Sequence, residues 1–343
     1  MTSLRSGPLP RMAGRLTFMR APEAHVADIA AESIAVLGVP IENNAGRRAG
    51  CRFGPLAMRE TSVYFGWHAN PQLAQPMDAT TRKPFGAGMI HHRLVDLGDI
   101  AVDTAASDRM HATLSSAVQR VVERGAMPLL LGGDAGITAP AFGGVAQAAP
   151  SAGESRAGRL GFIQIGGELP SQESMKPRPG TFSGNPLDDL LAHGWLDPSR
   201  AVCICPHPLA SREFVQRFRR AGGMVYTVRD IKRDGIDAVI HAALEQAGRG
   251  GSAIYTHFDL SAISAHLHGM SNPPQFDAMD GATAARALVR LGEGPIAALD
   301  VTGLNPTLNE LSVVKTGQRL LVSCLLGFIH ARASHTLHAC PTT

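Results

Sequence analysis

Residues 128–138 read PLLLGGDAGIT: a short apolar run, Pro128 to Leu131, closed by Gly132-Gly133 and followed by Asp134 and Ala135. Just upstream, Asp108 to Arg124 sets Met110, Leu114, Val118, Val121 and Val122 on one stripe at helical spacing, with Gly125 where a C-cap glycine belongs. The same alternation of short apolar run and longer helical stretch continues along the chain. The further strand candidates are Ile34 to Gly38, Leu94 to Leu97, Leu160 to Ile165, Val202 to Cys205, Met224 to Thr227, Ala253 to Phe258 and Ile296 to Val301. Helices are expected at Arg212 to Arg219, Ile236 to Gln246, Ala282 to Leu291 and Gly317 to His330. This order predicts a three-layer α/β/α domain on a central parallel sheet of about eight strands.

Composition narrows the possible roles. The 343 residues are 44% hydrophobic and 18% charged, as in a globular protein with a sizeable core. Lys and Arg total 32 against 29 Asp and Glu, a net charge of +3, which gives no electrostatic basis for nucleic-acid binding. Five cysteines (Cys51, Cys203, Cys205, Cys324, Cys340) are too few and odd in number for a disulfide framework, so a reducing, cytoplasmic setting is expected. Cys203 and Cys205 read as two positions on one face of a buried strand rather than as a metal pair. The longest apolar run, Leu320 to Ile329, is too short to span a bilayer, so no membrane partner is expected. Arg5, Arg11, Arg15 and Arg20 precede the first acid, Glu23, but Pro8, Pro10 and Pro22 break the helix a transit peptide would need. Residues 1–32 therefore read as an extended arm and 33–343 as one domain, with Val63 to His91 as a surface excursion over the sheet.

In open parallel sheets, ligands collect at the carboxyl ends of the strands. That rule selects Gly132 to Ala135, Gly166 to Pro170, His257 to Ser261 and Thr302 to Pro306. These segments resemble the strand ends of the ureohydrolases, the arginase and agmatinase family. The arm (Pro10 to Gly14 and Thr17 to Arg20), the stretch Val36 to Arg59 with Arg48, Gly50, Arg52, Gly54 and Pro55, and Val95 to Asp99 resemble the agmatinase and guanidinobutyrase branch. PLLLGGDAGIT and Asp300 to Pro306 (DVTGLNP) follow in family order.

The resemblance implies two manganese ions, occasionally nickel, held by two histidines and four aspartates and bridged by a hydroxide that attacks a guanidinium carbon. It also implies a homo-oligomer, trimeric or hexameric. This chain departs from that pattern at nearly every ligand position. The family's Gly-Gly-Asp-His is Gly132-Gly133-Asp134-Ala135, and its Asp-Ala-His-X-Asp is Gly166-Gly167-Glu168-Leu169-Pro170. Its Asp-X-Asp is Asp259-Leu260-Ser261, which leaves Asp259 as the one retained ligand residue. Two substrate-side positions differ as well: the histidine ahead of Gly-Thr is Pro179, and the glutamate of Asp-Val-X-Glu is Gly303.

Three readings follow. The first is a non-catalytic homologue with no metal cofactor, kept as a structural subunit and able to join an active paralogue in a mixed oligomer. The second is a divergent enzyme acting on a guanidino compound through at most one metal, manganese or nickel. Its catalytic and ligand candidates are His257, Asp259 and Glu168, supplemented by His266 and His268. The third is a binding module in which Ala135, Gly166 and Gly303 leave room for a small cation among Asp134, Glu168 and Asp259. A phosphate loop is excluded because no Lys-Ser/Thr follows Gly132-Gly133. Ser261 beside His257 lacks an orienting acid for a nucleophile triad.

Overall fold

The computed structural model describes residues 14–42, 49–65, 93–101, 107–148, 160–170, 183–268, 277–308 and 311–339. Among them, eight strands form one sheet in the order β2-β1-β3-β8-β7-β4-β5-β6. The strands are β1 (Ile34–Val39), β2 (Leu94–Asp99), β3 (Met127–Gly132), β4 (Leu160–Ile165), β5 (Ala201–Ile204), β6 (Met224–Tyr226), β7 (Ala253–Asp259) and β8 (Ile296–Thr302). Every pairing is parallel. Parallel strands covered on both faces read as continuous apolar runs, which is why their positions are visible in the sequence.

Helices cover both faces. One layer holds α1 (Gly54–Ser62), and α2 (Ser107–Glu123), α3 (Thr138–Ala148), α4 (Pro186–Ala192) and α5 (Arg212–Arg220) follow it in the chain. After them come α6 (Val228–Asp234), α7 (Ile236–Ala247), α8 (Gly281–Gly292) and α9 (Leu311–Ala339). Met58, Ile240, Leu288 and Leu325 of α1, α7, α8 and α9 share one apolar cluster with Val36 and Val301. Leu114, Phe142, Leu190 and Phe214 of α2 to α5 share another with Phe162 and Tyr255 on the opposite face. Gly125 closes α2 as expected, with φ at +73° and the Gly125 and Ala126 amides donating back to the Val122 and Val121 carbonyls.

Three expectations need correction. Cys205 lies beyond β5 with φ at +52°, a left-handed turn that sends it into the cluster on the opposite face from Cys203. The two thiols therefore do not share a strand face. The arm is not simply extended: Phe18–Arg20 and Val26–Asp28 form short 3-10 turns, and Phe18 and Met19 are core residues. Asp96 of β2 fastens the first turn, accepting from the Phe18 amide at 2.7 Å and from Arg59 Nε and Nη2 of α1, each at 2.9 Å. Finally, α9 is longer at both ends than Gly317 to His330. Most of the excursion from Val63 to His91 lies outside the described residues.

Candidate functional site

The chain builds β1 and β2, crosses to β3, then leaves a gap that β8 and β7 fill before β4 continues the sheet. The crevice of a doubly wound sheet opens where this direction of winding reverses. Here that places it above the carboxyl ends of β3, β8, β7 and β4, which carry Asp134, Gly303, Asp259 and Gly166.

After β3 the backbone passes tightly beneath its neighbour. A Cβ at Gly133 would lie 1.8 Å from the Ile41 carbonyl oxygen, so only glycine fits. Asp134 is buried, and its Oδ1 accepts the Gly136 amide at 2.9 Å, capping the 3-10 turn Ala135–Ile137 that leads into α3. Ala135 contributes no donor atom.

After β4 two left-handed residues follow in sequence, Gly166 at φ +79° and Gly167 at φ +70°. A Cβ on Gly166 would stand 2.8 Å from the Ala262 nitrogen and 2.8 Å from the Asp259 carbonyl oxygen. Gln164, fully buried beneath the turn, donates from Nε2 to the Gly166 and Glu168 carbonyls at 3.2 and 3.3 Å. The Glu168 side chain is exposed, whereas Leu169 and Pro170 are buried.

After β7, Asp259 Oδ1 accepts the Ser261 amide at 2.8 Å and so caps the turn Leu260–Ala262. Ser261 Oγ in turn accepts the Gly167 amide at 2.9 Å, tying the β4 turn to the β7 turn. After β8, Gly303 has φ at +80° and donates its amide to the Gly133 carbonyl. Its Cβ would lie 3.0 Å from Asp259 Oδ1. The space expected around Gly166 and Gly303 is thus already taken, at Gly166 by the β7 turn and at Gly303 by the Asp259 carboxylate.

A buried polar row underlies this crevice. Gln164, His257 and Asp300 are direct partners across β4, β7 and β8. His257 Nδ1 lies 2.5 Å from Asp300 Oδ1 and 3.0 Å from Thr138 Oγ1, and the carboxylate can only accept, so Nδ1 carries the proton. Tyr255 donates its hydroxyl to the other Asp300 oxygen at 2.7 Å. Burial lowers the affinity of His257 for a second proton, but the Asp300 charge and hydrogen bond, with help from Asp259, outweigh it and raise the imidazole above its ordinary value. Burial, with the Asp300 charge added, pushes the Tyr255 phenol well above its ordinary range. His257 Nε2 and Gln164 Oε1 are buried with no hydrogen-bond partner among the described residues.

The sequence candidates are therefore only partly brought together. Asp259, Ser261, Gly166 and Gly303 converge; His257 is sealed one layer below, and the Glu168 side chain faces solvent. Pro179 lies outside the described residues, and Ala265–His268 form one short helical turn. Among the described residues, no group of three or more His, Cys, Asp or Glu side chains is placed to hold a metal ion. Among the described residues, the donor set at these strand ends does not fit a two-metal centre. Gln164, Thr138 and Tyr255 were not singled out in the sequence. The one available signal was a polar residue interrupting an apolar strand, as Gln164 does in LGFIQI.

A parallel sheet in this order, with an acid-bearing crevice at the strand ends, defines an α/β protein of the kind that hosts small-ligand chemistry at its switch point. The chain belongs to the arginase family, which it matches over residues 32–327. It is 24% identical to the guanidinopropionase of Pseudomonas aeruginosa over 335 residues, covering 96% of this chain and 98% of that protein. It is 27% identical to the human mitochondrial guanidino acid hydrolase over 241 residues, 70% of this chain and 62% of that protein. Among solved structures, proclavaminate amidino hydrolase from Streptomyces clavuligerus superposes with a TM-score of 0.73 at 21% identity, covering 95% of this chain and all of that one. Trypanosoma cruzi formiminoglutamase with Mn2+ superposes with a TM-score of 0.71 at 20% identity, over 94% and 98% of the two chains. No helix among the described residues is long and apolar enough to cross a membrane.

Proposed function

We propose that this chain is a non-catalytic member of the arginase family, lacking the dinuclear manganese site and serving as a structural or ligand-binding subunit. The observation that carries the reading is the backbone at Gly166. The position that the family resemblance assigns to an aspartate ligand is left-handed and has no room for a Cβ. As it stands, the strand end accommodates glycine there and no side chain.

The neighbouring positions support the same reading. Asp259 spends an oxygen on capping the turn that follows it, and Ser261 accepts a backbone amide. Hydrogen bonds to backbone amides thus engage Asp259 and Ser261, two positions at which the resemblance would place metal ligands. Hydrolysis of a guanidinium needs a nucleophile stronger than water, and metal-bound water supplies one by dropping from pKa 15.7 to about 7. Ala135, Gly166, Pro170 and Gly303 offer no side-chain atom toward that task.

The test is turnover. Purified protein, incubated with and without added manganese, is offered guanidinopropionate, guanidinobutyrate, agmatine and arginine, and urea is measured. The reading expects no urea above the buffer blank with any of them. Manganese-dependent release from any one would overturn it.

A further inference from the structure

At the end of the sheet opposite the crevice, the structure holds a cavity of about 270 Å³ between the first residues of β1, β3 and β8 and the α9 helix. Two arginines reach it. Arg332 of α9 is half-buried and donates from Nη1 to the Gly294 carbonyl at 2.8 Å. Arg93, whose side chain is only 19% exposed, precedes β2 and pairs through Nη2 with Glu32 at 3.2 Å. Its Nη1 is buried and has no acceptor among the described residues. The remaining wall is apolar, chiefly Ile34, Met127, Ile296 and Ala297.

A buried guanidinium N–H without an acceptor is costly, and such groups are ordinarily satisfied. Arg93 already shares one hydrogen bond with the half-exposed Glu32 carboxylate, through Nη2, which leaves Nη1 directed elsewhere. A charged donor such as Nη1 is best satisfied by an anionic oxygen, and a carboxylate supplies one in a charge-assisted hydrogen bond. The volume and the aliphatic wall favour a short hydrocarbon tail over a bare, fully hydrated anion.

We infer that this cavity is a binding site for a small aliphatic monocarboxylate, whose carboxylate accepts from Arg93 Nη1 and whose tail lies against Ile34, Met127 and Ile296. It lies away from the family crevice and does not depend on whether that crevice is catalytic.

The test is isothermal titration of the full chain with sodium butyrate, against sodium phosphate and n-butylammonium chloride at matched ionic strength. The expected result is saturable butyrate binding, one per chain, with neither comparison salt competing. Arg93→Met should weaken it by about tenfold or more, the loss of one charge-assisted hydrogen bond. Ala297→Met, which fills the cavity and leaves both arginines in place, should weaken it as well. Should Arg93→Met fail to fold, Ala297→Met decides. No saturable butyrate binding would overturn the inference. So would phosphate binding in its place, or butyrate binding that Ala297→Met leaves unchanged.

Discussion

Placing an aspartate at Gly166 is the sharpest mechanical test of the crevice backbone. The left-handed backbone at φ +79° costs a residue with a Cβ roughly 1–2 kcal/mol. The new Cβ would also stand 2.8 Å from two backbone atoms of the β7 turn, and that turn cannot easily retreat. Asp259 caps it, and Ser261 bonds it to Gly167. Forcing such an overlap adds about 1–3 kcal/mol. Gly166→Asp should therefore lose about 2–5 kcal/mol of stability. For a chain of 343 residues the unfolding entropy is about 0.7 kcal/mol per degree, so the melting temperature should fall by about 3–7 °C. Gly166→Ala should lose most of the same amount, because the Cβ rather than the carboxylate causes the strain. Differential scanning calorimetry with and without manganese reads both quantities. A Gly166→Asp variant that melts within about a degree of the parent, or gains several degrees on adding manganese, would show that the Cβ is accommodated after all. Either result would mean that the strand end can still adopt a ligand-bearing conformation.

Other consequences are as direct. Arg59→Met should cost about 3–5 kcal/mol, because it strands the buried Asp96 carboxylate that also holds the Phe18 amide; chemical denaturation measures it. Tyr255→Phe should cost about 1–3 kcal/mol by leaving one oxygen of the fully buried Asp300 without its donor, read the same way. The Arg286 and Arg290 hydrogen bonds hold the Asp237 carboxyl well below its usual range. A depressed carboxyl contributes stability that is present above its unfolded-state value and is lost as pH falls through the folded one. Asp237→Asn should accordingly lower stability modestly near neutrality, where the contribution is fully present, and converge with the parent in acid, so that the acid limb of the stability–pH curve flattens. Burial pushes the Cys205 and Cys324 thiols up to about 12, so a thiol reagent should label them only after denaturant is added. Chelator should leave the melting temperature unchanged; a large drop would indicate a metal contributing to the fold.

The sheet was legible because its inner strands are buried on both faces, which turns β1, β3, β4 and β5 into nearly unbroken apolar runs. The helix Thr138–Ala148 was not. Its sequence, TAPAFGGVAQA, carries Pro140, Gly143 and Gly144, residues that weaken a helix. The structure explains them: a Cβ on Gly144 would stand 2.3 Å from the Ser115 carbonyl oxygen, so the glycine lets α3 lie directly on α2. Packing outweighs propensity there. Cys205 was misplaced for a related reason, since nothing in Val202 to Cys205 announces that its last residue turns left-handed and crosses to the other layer. At the crevice, the identities of Ala135, Gly166, Pro170, Ser261 and Gly303 were legible from the resemblance alone. Their consequences were not. That Gly166 and Gly303 are crowded rather than open, that Asp259 serves as a turn cap, and that His257 lies sealed against Asp300 all depend on backbone angles and depth. A one-dimensional pattern does not encode either.

The most direct measurement is metal stoichiometry per chain, by elemental mass spectrometry, on protein purified without chelator and then offered manganese, nickel and zinc in turn. Values near zero are expected for all three. A manganese or nickel content approaching two per chain would contradict that expectation, because it would show that donors other than those at these strand ends rebuild the centre.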